Sequence, residues 1–267
     1  VKYLLIALTL FVFSCNPSAK KEKEPVIENV ITGKFDDQEF GRCDTVKNQG
    51  VSVVVHLWQP TDSGQASKKI RTILSDKVIE RINSYADSAS VAQKPEANKS
   101  AEAAYEVFAS NYTNFKKDFP EAPGCWEVEL KGDTVMVTPK LMLYQFDHYA
   151  FTGGAHPNSF RSYHVFDRNS GIEREASTYV SDSAALLKKV ETAFRKNEKL
   201  TENVDLEEAG YFLMDHKFFI PANYTFTKEG VFFYYNPYEI AAYVKGAITF
   251  TIPYTELKGI VKEDMIF

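Results

Sequence analysis

Apolar and polar residues alternate over residues 51–58. Val51, Val53, Val55 and Leu57 share one side, which predicts a strand closed off by Pro60 and Gly64. The period then lengthens. Ile70, Ile73, Leu74, Val78, Ile82 and Tyr85 recur at helical spacing, with Ser67 as the expected N-cap. A polar connection over 87–99 leads to a second helix. Its stripe of Ala101, Tyr105, Phe108, Tyr112, Phe115 and Phe119 must be buried, and Pro120 and Pro123 stop it. From Trp126 the period returns to two, with a tight turn expected at Gly132-Asp133 and a return strand through Val135 and Val137. Residues 141–151 are apolar on both sides, the pattern of a central strand. A loop over 152–159, a strand over 160–167 and a turn at 168–171 follow, after which 172–180 pairs back. A third helix over 181–197 turns Leu186, Leu187, Val190 and Phe194 inward and pairs Glu191 with Arg195. A hairpin over 224–235 and a last strand over 247–252 complete the pattern.

Strands and helices are segregated rather than strictly alternating. The expected class is therefore α+β: a largely antiparallel sheet packed by helices, in two closely associated lobes.

Composition narrows the function. The chain has 267 residues, 44% hydrophobic and 25% charged, with a net charge of −5. That is globular, and the acidic balance argues against a nucleic-acid partner. Residues 1–14 pair Lys2 with an apolar run too short to span a bilayer, and Val12-Phe13-Ser14-Cys15 resembles a lipobox. We expect a lipoprotein signal peptide over 1–14, lipidation at Cys15 and a solvated tether over 15–27. The folded part, as a 28–150 module and a 151–267 domain, then sits in the cell envelope, facing the periplasm or the cell surface. Cys43 and Cys125 remain as a possible disulfide or as two separate thiols.

Two constellations could carry function. The loop Thr152-Gly153-Gly154-Ala155-His156-Pro157-Asn158-Ser159 has adjacent glycines, and Pro157 biases His156 toward extended backbone. It could present the imidazole and Asn158, or be a purely structural loop. The second is Tyr234-Tyr235-Asn236-Pro237-Tyr238-Glu239-Ile240-Ala241-Ala242-Tyr243. Asn236 as N-cap, Pro237 at the first position and Glu239 three residues on predict a short helix ended by Gly246. Its tyrosines offer rigid area for a protein or glycan partner, or fill a sheet face. The expected contacts are His156, Asn158, Tyr235, Tyr238 and Tyr243.

Metal chemistry is weakly signalled. His148, His156 and His164 are spaced by eight, which would set 148 opposite 164 in a hairpin and leave 156 beyond reach. Asp215-His216 could be half of an acid–base pair. No elbow, phosphate-loop or dinucleotide pattern is present, so no cofactor, metal or catalytic residue is assigned.

These motifs resemble the RsiV-like domain family over about 150–257. The resemblance rests on Tyr149-Ala150-Phe151-Thr152-Gly153-Gly154-Ala155-His156, the Asp167…Gly171 turn, Tyr235-Asn236-Pro237-Tyr238-Glu239-Ile240-Ala241 with Tyr243 and Gly246, and Ile252-Pro253-Tyr254 with Glu256-Leu257. Residues from about 28 to 150 resemble the module shared with a peptidoglycan deacetylase of the PdaC type. The resemblance implies an extracytoplasmic fold and, as partner, a lysozyme-like protein or peptidoglycan. The expected function is a binding module without its own chemistry. The alternative is a cell-wall-acting hydrolase or deacetylase using His156 with Asp147 or Asp167.

Overall fold

A computed structural model describes residues 31–44, 46–122 and 124–267. The expected signal peptide, the lipidation site Cys15 and the tether lie outside the described residues.

β1 (Gly33–Asp44) and β2 (Gln49–Pro60) form an antiparallel hairpin. The chain then crosses over through α1 (Gln65–Asn83), α2 (Ser88–Gln93), a short 3-10 segment (Pro95–Asn98) and α3 (Ala101–Asp118). It re-enters the sheet as β3 (Trp126–Val137), parallel to β2, a pairing that needs such a long crossover. β4 (Leu141–Phe151), β5 (Asn158–Asp167) and β6 (Glu173–Arg174) extend an otherwise antiparallel six-stranded sheet in chain order. The second lobe holds α4 (Ser183–Asn197) and a three-stranded antiparallel sheet of β7 (Asn223–Phe226), β8 (Gly230–Tyr235) and β9 (Ile248–Pro253), with α5 (Glu263–Ile266) at the end. The α+β class with a mainly antiparallel sheet holds. No helix of the described residues is long and apolar enough to cross a membrane.

The large sheet is a shared wall. On one face Val55, Leu130, Tyr144 and Phe146 pack under Leu74 and Ile82 of α1 and Phe108 of α3. On the other, Met136, Leu143 and Val165 pack with Val190, Phe226 and Phe233 of the second lobe. β4 is apolar on both sides for this reason.

Four expectations need correction. Gly132-Asp133 is not a turn, because β3 runs straight through it, bonded to β2 on one side and β4 on the other. Gly132 is there for space, since a Cβ would overlap the Tyr144 hydroxyl and Leu57. A register shift between Thr134 and Met136 then turns Met136 to the second-lobe core, which disguises one long strand as two. Ser67 lies inside α1, and Gly64 is the N-cap. The Ser67 hydroxyl donates to Asp62, which also accepts from the Gly64 N–H. The 87–99 connection contains α2, capped where the Asp87 carboxylate accepts from the Ser90 N–H at 2.8 Å. Phe119 lies past the end of α3 and is exposed.

Candidate binding groove

Strand alternation sets the floor of the groove. Tyr144, Phe146 and His148 face the helices, so Gln145, Asp147 and Tyr149 face the other way, as do Ser159, Arg161 and Tyr163 of β5. Beyond the reach of the second-lobe core this face is open. Arg161 grips Asp147 through two bonds, Nε–Oδ1 at 2.6 Å and Nη2–Oδ2 at 2.9 Å. Gln145 Nε2 donates to the same carboxylate at 2.7 Å. The guanidinium also lies 5.0 Å from the Tyr234 ring centroid, so one of its faces and its fork are committed. The Asp147 hydrogen bond raises the Arg161 pKa further above its ordinary value, against the opposing effect of burial. A cleft of about 260 Å³ follows, bordered by Glu129, Lys131, Tyr149, Tyr234 and Pro237. Burial, then the nearby Glu127 and Glu129 carboxylates, push the Tyr149 hydroxyl up and keep it neutral.

The glycine-rich loop and the tyrosine-rich segment meet at the end of this cleft. Gly153 and Gly154 take φ of 94° and 102°, the left-handed side that glycine permits. The loop they bend lays the His156 ring on Tyr243, with centroids 4.6 Å apart and planes 19° from parallel. Tyr243 in turn lies 5.4 Å from Tyr238. These rings, with Pro157, Asn158, Ser159 and Pro237, line a second cleft of about 420 Å³. Ser159 and Pro237 border both clefts, which makes one continuous groove.

The 236–245 segment is not the expected helix. It is a turn with Tyr238 at φ 68°, then a 3-10 segment (Tyr243–Lys245), then Gly246 at φ 68°. The reason is that the Asn236 amide is used elsewhere. It accepts from the Arg161 N–H at 2.7 Å and donates to the Arg161 carbonyl at 3.0 Å, so it cannot cap. Half of the capping box survives, with Glu239 accepting from the Asn236 N–H at 2.7 Å and from the Ala222 N–H at 2.9 Å.

Of the five expected contacts, His156, Asn158, Tyr238 and Tyr243 converge on the groove. Tyr235 does not. β8 turns it inward, it is fully buried, and its hydroxyl donates to the Phe219 carbonyl at 2.7 Å. Its neighbour Tyr234 faces the groove, as alternation requires. Arg161, which the sequence does not single out, joins Asp147 and Tyr234 into one constellation beside Tyr149. The signal for it was the polar phase of β4 and β5.

The pairings proposed for a hydrolase do not form. Asp147 is held by Arg161, and Asp167 accepts from the N–H groups of Asn169 and Ser170. Among the described residues His156 has a ring partner and no carboxylate partner. His148 pairs in register with Phe160 and His164 with Tyr144, so the two are not opposite. His148 is buried, stacked on Phe160, while His164 bonds Ser162 and Glu173. His216 pairs with Glu207 at 3.0 Å rather than with Asp215. Cys43 and Cys125 are disulfide-bonded, with Cα atoms 5.7 Å apart. Among the described residues, one group has ligand atoms close enough to hold a metal, Cys43, Cys125 and Glu127. Its two sulfurs are tied up in that bond.

Two family models match the chain. One, described as deacetylase PdaC, covers residues 53–159. The other, DUF3298, a protein family of unknown function, covers residues 179–255. The chain is thus similar to the PdaC model in its N-terminal part and to the DUF3298 model in its C-terminal part. A crystal structure of a DUF3298 family protein from Pseudomonas aeruginosa PAO1 shares the fold at a TM-score of 0.61 and 20% identity, covering 89% of this chain and 97% of that one. One from Bacteroides fragilis NCTC 9343 does so at 0.63 and 18%, covering 86% and 93%. No curated protein matches. His156 and Asn158 fall in the stretch that matches the PdaC model and Tyr238 and Tyr243 in the stretch that matches the DUF3298 model, so the groove is built where the two stretches meet.

Proposed function

We propose that the chain is a lipid-anchored cell-envelope protein, held through Cys15, whose groove docks an envelope-active protein of the lysozyme kind without transforming it. The observation that carries this is the meeting of the His156 loop and the Tyr238–Tyr243 turn at a module junction. Exposed, mutually stacked rings are rigid contact area that costs little entropy to order. Glu127 and Glu129 lie beside Tyr149 on the groove face, and the chain carries a net charge of −5. Both favour a basic partner and raise its rate of encounter at low salt. Among the described residues His156 is engaged by the Tyr243 ring, a contact that favours binding.

The test is to immobilise the mature chain and present lysozyme at low and at high ionic strength, with purified sacculi as a second arm. We expect lysozyme to be captured at low salt, less so at high salt, and poorly by Tyr243→Ala. Retention on sacculi without lysozyme capture would make peptidoglycan the ligand and overturn the protein-partner reading. Product analysis of the sacculi checks the absence of turnover. Membrane fractionation of Cys15→Ala checks the anchor: release from the membrane supports it, and unchanged association refutes it.

A further inference from the structure

Ser162, His164 and Glu173 form a hydrogen-bonded chain on the helix-facing side of β5, the side opposite the groove. Ser162 Oγ lies 2.9 Å from His164 Nε2, and His164 Nδ1 lies 2.6 Å from Glu173 Oε1. Strand alternation makes the first contact, because residues two apart share a face. The turn after β5 makes the second. Asp167 accepts from the N–H groups of Asn169 and Ser170, and the chain returns with Glu173 paired to Phe166. A carboxylate at Nδ1 holds the ring proton there. Nε2 is then left as an acceptor for the Ser162 hydroxyl.

The surroundings support the same polarity. Lys77 of α1 lies 3.0 Å from the other Glu173 oxygen. Burial pushes the Glu173 carboxyl up, but His164 and Lys77 together outweigh it and hold it below its ordinary value. Arg81, one helical turn beyond Lys77, lies 6.0 Å from the Phe160 ring centroid, two residues before Ser162. Lys77 thus anchors the Glu173 end of the chain of hydrogen bonds, and Arg81 lies over Phe160 on the same face of the sheet. Ser162 and His164 are partly buried, and the His164 side chain keeps 13% of its surface exposed.

We propose that Ser162 is an activated nucleophile, with His164 as general base, Glu173 as the positioning residue, and a small acyl ester as the substrate class. The Ser162 oxygen bonds to the ester carbonyl carbon as its proton passes to His164 Nε2. The ester C–O bond then breaks, and the leaving alcohol takes that proton. Water repeats the sequence on the acyl-serine, with His164 again accepting and returning one proton. The products are the free acid, the alcohol and unchanged Ser162. No redox partner or metal is required.

The test treats the full chain with a fluorophosphonate probe, which phosphonylates such a serine with loss of fluoride, and maps the adduct by mass. p-Nitrophenyl acetate serves as the ester. We expect the adduct on Ser162, no adduct at that position in Ser162→Ala, and a fall of about 10²- to 10⁴-fold in both rates for His164→Gln. Glu173→Gln is expected to lower kcat with KM unchanged, and Glu173→Asp to restore part of that loss. A merely structural role for Glu173 would leave Glu173→Asp no faster than Glu173→Gln. An unmodified Ser162 in the wild-type chain overturns the proposal, and this result needs no variant to fold. So does ester turnover that is unchanged in Ser162→Ala.

Discussion

The Asn236 side-chain amide gives Arg161 both of the hydrogen bonds that a neighbouring strand would give it, at 2.7 Å and 3.0 Å. β6 covers β5 only at Val165 and Phe166, so the Arg161 backbone would otherwise be left without a partner. The amide is 4% exposed, and Glu239 fixes its backbone in turn. Asn236 therefore fastens the turn after β8 to the β5 edge of the large sheet. Replacing it with Ala leaves a donor and an acceptor unpaired. We expect Asn236→Ala to lower unfolding free energy by about 2–3 kcal/mol. A urea titration showing a loss under about 0.5 kcal/mol would mean the junction is held by apolar packing alone.

His148 makes the fold sensitive to acid. Burial lowers its pKa to about 4, helped by the positive charge of Arg81 and opposed by Asp147. In the unfolded chain the imidazole titrates near its ordinary value of 6.5. Between those values the unfolded state binds more protons, so the stability this neutral ring permits is present above about pH 6.5. It is lost as pH falls toward 4. The span allows a loss of up to roughly 3 kcal/mol. We expect the urea midpoint of the wild type to drop over this range and that of His148→Phe to drop less. Parallel pH profiles for the two proteins would assign the acid limb to other groups.

The sequence pattern reveals most of the scaffold because each element buries one phase of it. Ile70 to Ile82 and Ala104 to Phe108 show their helical stripe, and Val51 to Leu57 its alternation. What stays hidden has a tertiary cause. Gly132 reads as a turn because its reason for being glycine, the Tyr144 ring, is twelve residues away. Asn236 reads as a helix cap because capping and edge-pairing use the same amide. Tyr234 and Tyr235 look equivalent in sequence, and only the facing of β8 makes one a groove residue and the other core. The loop and the tyrosine cluster were each legible, but their meeting is set by how the second lobe packs on the large sheet.

Tyr243 and Tyr235 provide a test that separates binding from folding. Tyr243 is partly exposed against His156, whereas Tyr235 packs among Phe194, Phe219 and Phe250. Tyr235→Ala is expected to cost about 3–5 kcal/mol of stability by opening a core cavity. Tyr243→Ala is expected to cost under about 1 kcal/mol of stability and to weaken capture of the partner by about 30-fold, the loss of one strong contact. Calorimetry and a binding titration on the same samples decide it. If Tyr243→Ala binds as the wild type does, the stacked rings are structural and the groove docks nothing.

The Cys43–Cys125 bond should control global stability. In the sheet register Cys43 pairs with Gly50 and Trp126 with Val51, so the two sulfurs meet across the start of β2. The bond closes a segment of 82 residues that includes α1, α2 and α3. Restricting the unfolded chain over that length is worth up to about 4–5 kcal/mol in the loop-entropy picture. Reduction, or Cys43→Ser with Cys125→Ser, removes that restriction while the β1–β2–β3 ladder keeps its backbone hydrogen bonds. We therefore expect a lower urea midpoint with an unchanged folded-state far-ultraviolet spectrum, and the same midpoint for the reduced wild type and the double variant. A midpoint indifferent to reductant would show that the bond does not constrain the unfolded chain. The stability of the helical crossover would then have to come from the core around Phe108 and Trp126.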